Sequence, residues 1–365
     1  MHQSPAARLR ELTQTASAGL VGREPLAELI VLAAVAQEHL LVIGPPGTAK
    51  SIVVRRVAQA LGGRYFEYLL GRFTEPSELF GAVDLRKLRE GTVETDTSGM
   101  LPEAEVAFLD EVFLGSTAIL NTLLGILNER RFRRGHTQQS CPLRVCVGAS
   151  NALPEDESLA AFADRFLLHV FIDAVPDHQL EALLAGGWQA ERSSTGHVAD
   201  IGDIDQLSRR VLAADLDGVR GLLAAAVRRL RAAGLALSDR RIVKAQRLIA
   251  AAAVLAGRDT AEAADLWPLF YVLPTREAQS AAQDVLREHL GAAANPTLRA
   301  AVEAASLQPP ARAARLIDAA RQCLADDTAH GEAVLREIDA NFSAASLPPE
   351  LAALRQELAR RSADA

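Results

Sequence analysis

The chain has 365 residues, of which 49% are hydrophobic and 23% are charged, so it holds enough apolar material for a folded core and is not a disordered chain. Its net charge of -7 and pI of about 5.7 give no basic field of the kind that an electrostatic nucleic-acid binder shows. Its 3 cysteines make no disulfide framework and favour a reducing compartment. Because no apolar stretch approaches the ~20 residues of a membrane span, and no secretory signal is recognisable, we expect a cytoplasmic protein.

Short apolar runs alternate with helical patterns through the first half of the chain. The runs that we predict as strands are Leu40–Ile43, Phe66–Leu69, Val106–Leu109, Arg144–Ala149 and His169–Ile172. Between the third and fourth runs, apolar residues recur at helical spacing. Alternation of this kind predicts an α/β fold in which a parallel five-stranded sheet is covered by helices on both faces.

The composition of the sequence changes near residue 175, and we predict no strands beyond it. Ala/Leu/Arg-rich segments at Val219–Ala233, Arg240–Ala256 and Ala278–Leu290 predict helices. Prolines interrupt the helical pattern again at Asn295-Pro296 and at Pro309-Pro310. We therefore expect an α/β domain over 1–175, an all-α domain over 176–290 and a helical C-terminal extension over 291–365.

The sharpest local signal is Gly44-Pro45-Pro46-Gly47-Thr48-Ala49-Lys50-Ser51, between a predicted strand and a predicted helix. Glycines let the backbone curl so that its N–H groups point inward, and the positive end of the helix lies beneath the phosphates. Lys50 would reach the β and γ phosphates, and the Ser51 hydroxyl would complete a Mg²⁺ shell. The usual pattern has glycine where Ala49 stands, and we expect the methyl group there to require a helical backbone. The alternative is an ordinary Gly/Pro turn.

Two acids and an amide follow other predicted strands. Asp110 and Glu111 come directly after Val106–Leu109, where ligands bind in open α/β sheets. Asp110 would hold the Mg²⁺ shell, and Glu111 would polarise the attacking water. Asn151 follows the next strand, where its amide could contact the γ phosphate or that water. A solvated turn is the alternative for each of the three residues.

Together these motifs resemble those of AAA+ ATPases, specifically the MoxR family and its RavA-like branch. The resemblance covers about residues 8–290 and includes the common Thr-Ala-Lys form of the phosphate loop. The matching blocks are Leu20–Glu24, Gly44–Ser51, Phe66–Leu69, Arg72–Gly81, Thr97–Ala104, Phe108–Glu111, Ile119–Leu124, Leu127–Arg130, Ala149–Asn151, Asp164–Phe166 and Leu237–Arg241. The implied fold is an AAA+ P-loop domain followed by an all-α lid.

The resemblance also implies a role for each matched residue, with ATP and Mg²⁺ as cofactors. Arg165 resembles an arginine finger that reaches the next subunit's nucleotide, and Arg240 resembles sensor 2 of the lid, with Arg241 as the alternative. The other matched positions are Val21 and Gly22 near the adenine, the Walker A loop of Gly44, Pro45, Pro46, Gly47, Thr48, Ala49, Lys50 and Ser51, the Walker B acids Asp110 and Glu111, and sensor 1, Asn151.

Two segments resemble insertions of this clade. Gly81–Thr97 is similar to the helix-2 insert that faces the central pore, and Phe132–Pro142 is similar to the hairpin before sensor 1. Four arginines surround Phe132 in Arg130–Arg134. They could contact nucleic acid in a pore, but we favour a charged hairpin that pairs with acidic groups between subunits, because the chain is acidic overall.

The leading hypothesis is a hexameric, ring-forming ATPase that remodels a protein client, with a von Willebrand A domain partner implied by the resemblance. Alternatives are a nucleic-acid-stimulated motor, a chelatase-type motor subunit, and a scaffold that binds ATP with negligible turnover. The acidic pI disfavours the nucleic-acid motor. The complete Asp110/Glu111 pair disfavours the scaffold, because a pure binder needs no water-activating acid.

Overall fold

The computed structural model describes residues 3–192, 196–306, 313, 316–317, 319–321, 323–324, 331–342 and 347–364. Seven strands are present in these ranges: β1 Leu40–Ile43, β2 Tyr65–Leu69, β3 Val106–Asp110, β4 Arg131–Arg134, β5 Thr137–Ser140, β6 Val145–Ser150 and β7 Leu168–Phe171. The helices of the N-terminal half are α1 Pro5–Ser17, α2 Glu24–Ala36, α3 Lys50–Leu61, α4 Pro76–Phe80, α5 Leu85–Arg89, α6 Thr117–Glu129 and α7 Glu157–Ala163.

The C-terminal half is helical. Its helices are α8 Leu180–Arg192, α9 Ile201–Ala213, α10 Asp217–Ala232, α11 Asp239–Leu255, α12 Leu269–Val272, α13 Arg276–Val285, α14 Arg287–Leu290, α15 Arg299–Ser306, α16 Gly331–Asn341 and α17 Pro349–Asp364. Short 3-10 turns connect several of the elements.

Five strands form one parallel sheet in the order β2-β3-β6-β1-β7. Strand β1 is buried along its whole length, as expected for an apolar strand covered on both faces. The predicted five-stranded parallel sheet is confirmed, and each predicted strand agrees with the observed one to within a residue at either end. The hairpin β4–β5 forms a separate antiparallel pair, as the resemblance implied for Phe132–Pro142.

The predicted helix Ala278–Leu290 is two helices, α13 and α14, which meet at Leu286. The segment Gly81–Thr97 is a loop that contains α5 and is closed by an isolated bridge between Val83 and Thr95. It is joined to the β4–β5 hairpin, because His136 N–H donates to Val93 O at 2.9 Å and Thr95 N–H donates to Thr137 Oγ1 at 2.7 Å. The two insertions therefore form one connected surface element.

One hydrophobic core runs through α1, α2 and α3, one face of the sheet and the helices from α9 to α15. Ser208 on α9 donates to Val35 O on α2 at 2.8 Å. Thr297, beyond residue 290, donates to Leu255 O at 2.8 Å. The hydrophobic core thus continues across both predicted boundaries, at 175 and 290, and the division into three domains stays a prediction.

A second cluster lies on the other face of the sheet, around α6 and the hairpin. A third, small cluster joins described parts of the C-terminal extension, including Leu316, Ile338 and Leu351. In the described ranges, no helix combines the length and the apolar character that a membrane crossing demands.

Candidate nucleotide site

The strand order alone brings the predicted site residues together. Strands β3, β6 and β1 are neighbours and parallel, so the residues that follow them meet at one edge of the sheet. These residues are Asp110 and Glu111, Asn151, and the phosphate loop. They surround a pocket of about 260 Å³ whose lining is Pro46, Gly47, Thr48, Ala49, Lys50, Ser51, Ile52, Asp110, Glu111 and Asn151.

The phosphate loop needs glycine at its first position because of a close backbone approach. A Cβ on Gly44 would lie 2.3 Å from the carbonyl oxygen of Ile172. Gly47 has φ +76, a left-handed conformation that glycine adopts without strain. These constraints shape the loop between β1 and the N-terminus of α3, where backbone N–H groups and the helix dipole favour a bound anion.

Lys50 folds back onto its own loop. Its Nζ donates to Gly44 O at 2.6 Å and to Pro45 O at 2.9 Å. Burial lowers the pKa of Lys50, while the nearby carboxylates of Asp110 and Glu111 act in the opposite direction. The ammonium is therefore a poorly hydrated positive charge at the mouth of the anion-binding loop.

Ala49 corrects the expectation that a methyl group here requires helical backbone. Its φ of 62 and ψ of 21 are left-handed, and the residue is the N-cap of α3. Such a conformation costs an alanine about 1 kcal/mol or more. The methyl group packs against the main core, and this contact offsets part of that strain.

Glu111 and Asn151 contact each other directly. The Asn151 Nδ2 donates to Glu111 Oε1 at 2.7 Å, and the Glu111 N–H donates to Asp110 Oδ1 at 3.0 Å. Glu111 is also left-handed, with φ 49. The turn after β3 thus directs the two acids differently, with Glu111 held by the amide of the neighbouring strand.

The pocket suits Mg²⁺ bound together with a phosphate. Ser51 and Asp110 supply a hydroxyl and a carboxylate, which are hard oxygen donors. No group of three or more His, Cys, Asp or Glu side chains within the described residues is arranged to hold a metal ion by itself. Phosphate oxygens would have to complete the shell, as they do in known phosphoryl-transfer sites.

A larger cavity of about 600 Å³ has Val21, Gly22 and Arg23 in its wall. Its other walls come from the end of β7 and from lid residues such as Phe270 and Tyr271. The cavity is lined by apolar side chains together with a few polar ones, a combination that suits a purine base. Val21 and Gly22 line this cavity, and their predicted position near the adenine stays a prediction.

Arg23 is a site residue that sequence reasoning missed, although it stands inside the matched block Leu20–Glu24. It is 7% exposed and connects the cavity to the loop, because its Nε donates to Thr48 O at 2.8 Å. One guanidinium nitrogen also donates to Asp173 O at 2.9 Å. Burial lowers the pKa of Arg23.

Arg165 lies outside the pocket of Lys50. It lines a separate cavity of about 380 Å³ with Phe113, Leu124 and Phe162. Its Nε is buried and has no hydrogen-bond partner among the described residues. One donor of this guanidinium thus has no partner, and the finger role that the resemblance implies for Arg165 stays a prediction.

Arg240 is also absent from the lining of the Lys50 pocket. It donates to Asn128 Oδ1 at 2.9 Å and to Asp164 O at 3.2 Å, beside Arg165. The sensor 2 role that the resemblance implies for Arg240 stays a prediction, and in this structure its guanidinium lies beside the predicted finger.

Arg241 is a buried structural residue, 2% exposed. It donates to Asp164 Oδ1 at 2.6 Å, to the carbonyls of Phe166 and Leu167, each at 3.0 Å, and to that of Val272. It also contacts His169 Nε2 at 3.0 Å. Burial lowers the pKa of His169 to about 4, with the Arg241 charge as a second cause. Of the two candidate arginines, Arg241 joins the lid to β7 and has no free donor face.

The arginines around Phe132 are largely engaged within the chain. Arg130 donates to Leu127 O and Gln37 O, and its burial lowers its pKa to about 10. Arg134 donates to Gly81 O at 3.0 Å, and Arg133 lies 3.7 Å from Glu129. Three of the four arginines thus have partners within the chain, and their predicted pairing with acidic groups of another subunit stays a prediction.

The fold and pocket define a P-loop nucleotide-binding protein with a helical lid. Residues 7–209 match the family model described as the MoxR domain in MoxR-vWA-beta-propeller ternary systems, and residues 219–285 match an AAA lid domain. The first match alone spans more than half of the chain, which therefore belongs to the MoxR family of AAA+ ATPases. The narrower RavA-like assignment stays a prediction.

Individual relatives agree with this family. Two uncharacterised proteins of Methanocaldococcus jannaschii are 33% and 34% identical, each over 71% of this chain, covering 69% and 68% of their own lengths. The chaperone MoxR1 of Mycobacterium tuberculosis is 26% identical over 41% of this chain and 40% of its own. A crystal structure from Cytophaga hutchinsonii, assigned provisionally to the ATPases, has a TM-score of 0.64 at 16% identity, over 80% of this chain and 96% of its own, and shows the shared fold.

Proposed function

We propose that this protein is a hexameric, ring-forming ATPase that couples ATP hydrolysis to remodelling of a protein client, together with a von Willebrand A domain partner. The observation that carries the proposal is the single pocket that gathers Lys50, Ser51, Asp110, Glu111 and Asn151. These residues combine a cation, two metal-shell oxygens, a general base and an amide that orients it, which is the set of groups that phosphoryl transfer requires.

The proposed chemistry is in-line attack of water on the γ phosphate. Glu111 accepts the water proton, and the 2.7 Å hydrogen bond from Asn151 holds its carboxylate in place. Lys50 leaves its loop carbonyls for the phosphate oxygens and stabilises the charge that develops there. Bound Mg²⁺, held through Ser51 and Asp110, would neutralise charge on the β and γ phosphates.

Ring formation is proposed because the set of cations is incomplete within one subunit. Arg165 and Arg240 lie together outside the Lys50 pocket, and the Arg165 Nε has no described partner. An arginine supplied in trans accelerates phosphoryl transfer by roughly 10³–10⁵ in known cases. We therefore infer that these arginines act on the nucleotide of the adjacent subunit.

The proposed partner follows from the family. The matching domain is described in ternary systems with von Willebrand A and β-propeller proteins, and the relative in Mycobacterium tuberculosis is named a chaperone. Co-purification with Glu111→Gln and ATP, which should hold the ATP-bound state, tests this part of the proposal. Recovery of a von Willebrand A protein only with ATP would support it.

A mixing experiment tests the shared site. Lys50→Ala removes nucleotide chemistry from one subunit, and Arg165→Ala removes the predicted finger. Each variant alone should be nearly inactive, whereas mixed rings should recover ATPase activity at interfaces that combine an intact pocket with an intact finger. Two fully active single variants would contradict the proposed site. Stimulation by DNA, RNA or a tetrapyrrole complex instead of a protein would favour the motor or chelatase alternative.

A further inference from the structure

An ion pair crosses the mouth of the 600 Å³ cavity between the sheet domain and the lid. Arg276, the first residue of α13, donates through both terminal nitrogens to the two oxygens of Asp173, each at 2.8 Å. The Arg276 guanidinium also lies 5.3 Å from the centre of the Phe171 ring. Arg276, Asp173 and Phe171 all line the cavity.

This ion pair continues a chain of contacts from the phosphate loop. The Thr48 carbonyl accepts from Arg23, whose guanidinium donates to the backbone carbonyl of Asp173. The Asp173 carboxylate then holds Arg276 of the lid. Four residues thus connect the phosphate loop to α13, and three of them, Arg23, Asp173 and Arg276, line the cavity.

The two ends of the chain differ in strength. Arg23 is 7% exposed, so its bonds are shielded from water and fix Asp173 relative to the loop. The Arg276 and Asp173 side chains are 48% and 70% exposed. Their pairing is accordingly weak, worth at most about a fivefold shift in an equilibrium, and is screened by salt. The Arg276–Asp173 ion pair is therefore weak, whereas the backbone of Asp173 is firmly held by Arg23. Such an ion pair can break and form again as the lid moves.

We propose that Arg276 is a positioning residue that latches the lid over a bound purine nucleotide, with Asp173 as the junction to the phosphate loop. The inference rests on the proposed function, because it takes the bound nucleotide to be ATP or ADP and its base to lie in the 600 Å³ cavity. The latch slows nucleotide release. Because Asp173 is held by Arg23, a displacement of Thr48 on phosphate loss reaches the lid through the same chain.

The test measures release of a fluorescent ADP analogue by stopped flow from the full chain in 50 mM NaCl. Arg276→Gln and Asp173→Asn should each accelerate release about three- to fivefold. The double variant should release no faster than either single variant, because both remove one interaction. In 1 M NaCl the wild-type protein should approach the variants.

A matched control is available within the lid. Arg229 and Glu288 form an ion pair of similar exposure, 49% and 77%, away from the cavity. Arg229→Gln should leave release unchanged, and thermal unfolding should report similar stability for Arg229→Gln and Arg276→Gln. Hydrogen exchange of the α13 amides gives a second measurement, and should be faster in Arg276→Gln with nucleotide bound.

The outcomes separate the two proposals. Tight nucleotide binding by the wild-type protein with equal release rates in Arg276→Gln would overturn the latch and leave the proposed function standing. Equal acceleration in Arg229→Gln would also overturn it. A wild-type chain that binds no purine nucleotide would contradict the proposed function and the latch together.

Discussion

The Asn151 amide donates to the Glu111 carboxylate across the carboxyl ends of two adjacent strands, at 2.7 Å. The contact joins the residue proposed to activate water to the residue proposed to sense the γ phosphate. Since an amide nitrogen only donates, the bond fixes one carboxylate oxygen and leaves the other for a water molecule. This arrangement predicts that Asn151 acts on turnover through the orientation of Glu111.

Replacing Asn151 tests that relationship. In Asn151→Ala the donor is lost without adding a charge to the phosphate pocket, so Glu111 loses the bond that holds its carboxylate. We expect kcat for ATP hydrolysis to fall at least tenfold, as for other lost orienting groups, while ATP affinity stays within about threefold. Steady-state ATPase and nucleotide titration measure the two quantities. A loss confined to affinity would show that Asn151 binds phosphate and does not position Glu111.

Arg240 and Arg241 are adjacent in sequence, but we predict that their substitution affects different properties, activity for Arg240 and stability for Arg241. Arg241→Lys replaces a guanidinium that donates to several buried acceptors. It should lower the free energy of unfolding by about 2–4 kcal/mol. Arg240→Gln removes contacts of a side chain that is 27% exposed and should cost less than about 1 kcal/mol. Its ATPase activity should nevertheless fall in the assembled protein. Urea denaturation and ATPase assays at high protein concentration distinguish the two, and a stable, inactive Arg241→Lys would reverse the assignment.

The sequence predicted the sheet and its edge well because both depend on short-range patterns. Apolar runs such as Val106–Leu109 identify buried strands, and the residues after them must meet where parallel strands end. The contacts of Arg240 depend on how the lid packs against the sheet domain, and no local sequence pattern encodes that packing. The same holds for Arg23 and Arg276, whose partners are backbone or distant side chains. Ala49 was misjudged because the left-handed turn is imposed by the loop and not by residue propensity.

The left-handed backbone at Ala49 leads to a prediction on stability. Ala49→Gly relieves the strain, but it loses the methyl contact and increases the conformational entropy of the unfolded chain. We therefore expect the free energy of unfolding to change by no more than about 1 kcal/mol. Ala49→Val adds a β-branched side chain to the same conformation and should cost about 1–3 kcal/mol. Ala232→Val, on an exposed helical position, is the matched control and should cost only about 0.5 kcal/mol. Equal effects of the two valines in urea denaturation would contradict the strain assigned to Ala49.

Glu28 predicts a pH dependence of stability. This α2 residue is 8% exposed, and its Oε2 accepts from Ala301 N–H at 2.7 Å, which joins α2 to the start of α15. Burial raises the pKa of Glu28 to about 8. A carboxyl group whose pKa is higher in the folded state stabilises that state at low pH. The contribution is lost as the pH rises from the unfolded value, about 4.5, through about 8.

Glu28→Gln keeps an acceptor for Ala301 and cannot ionise, so it should be free of this loss. Its stability relative to the wild-type protein should therefore increase between pH 5 and pH 8, by about 2–4 kcal/mol. Urea denaturation at the two pH values measures the difference. Glu11→Gln, an exposed change on α1, is the control, because it removes no buried charge. Parallel profiles for Glu28→Gln and the wild-type protein would mean that Glu28 is ionised at pH 7 and that the Ala301 N–H compensates for its burial.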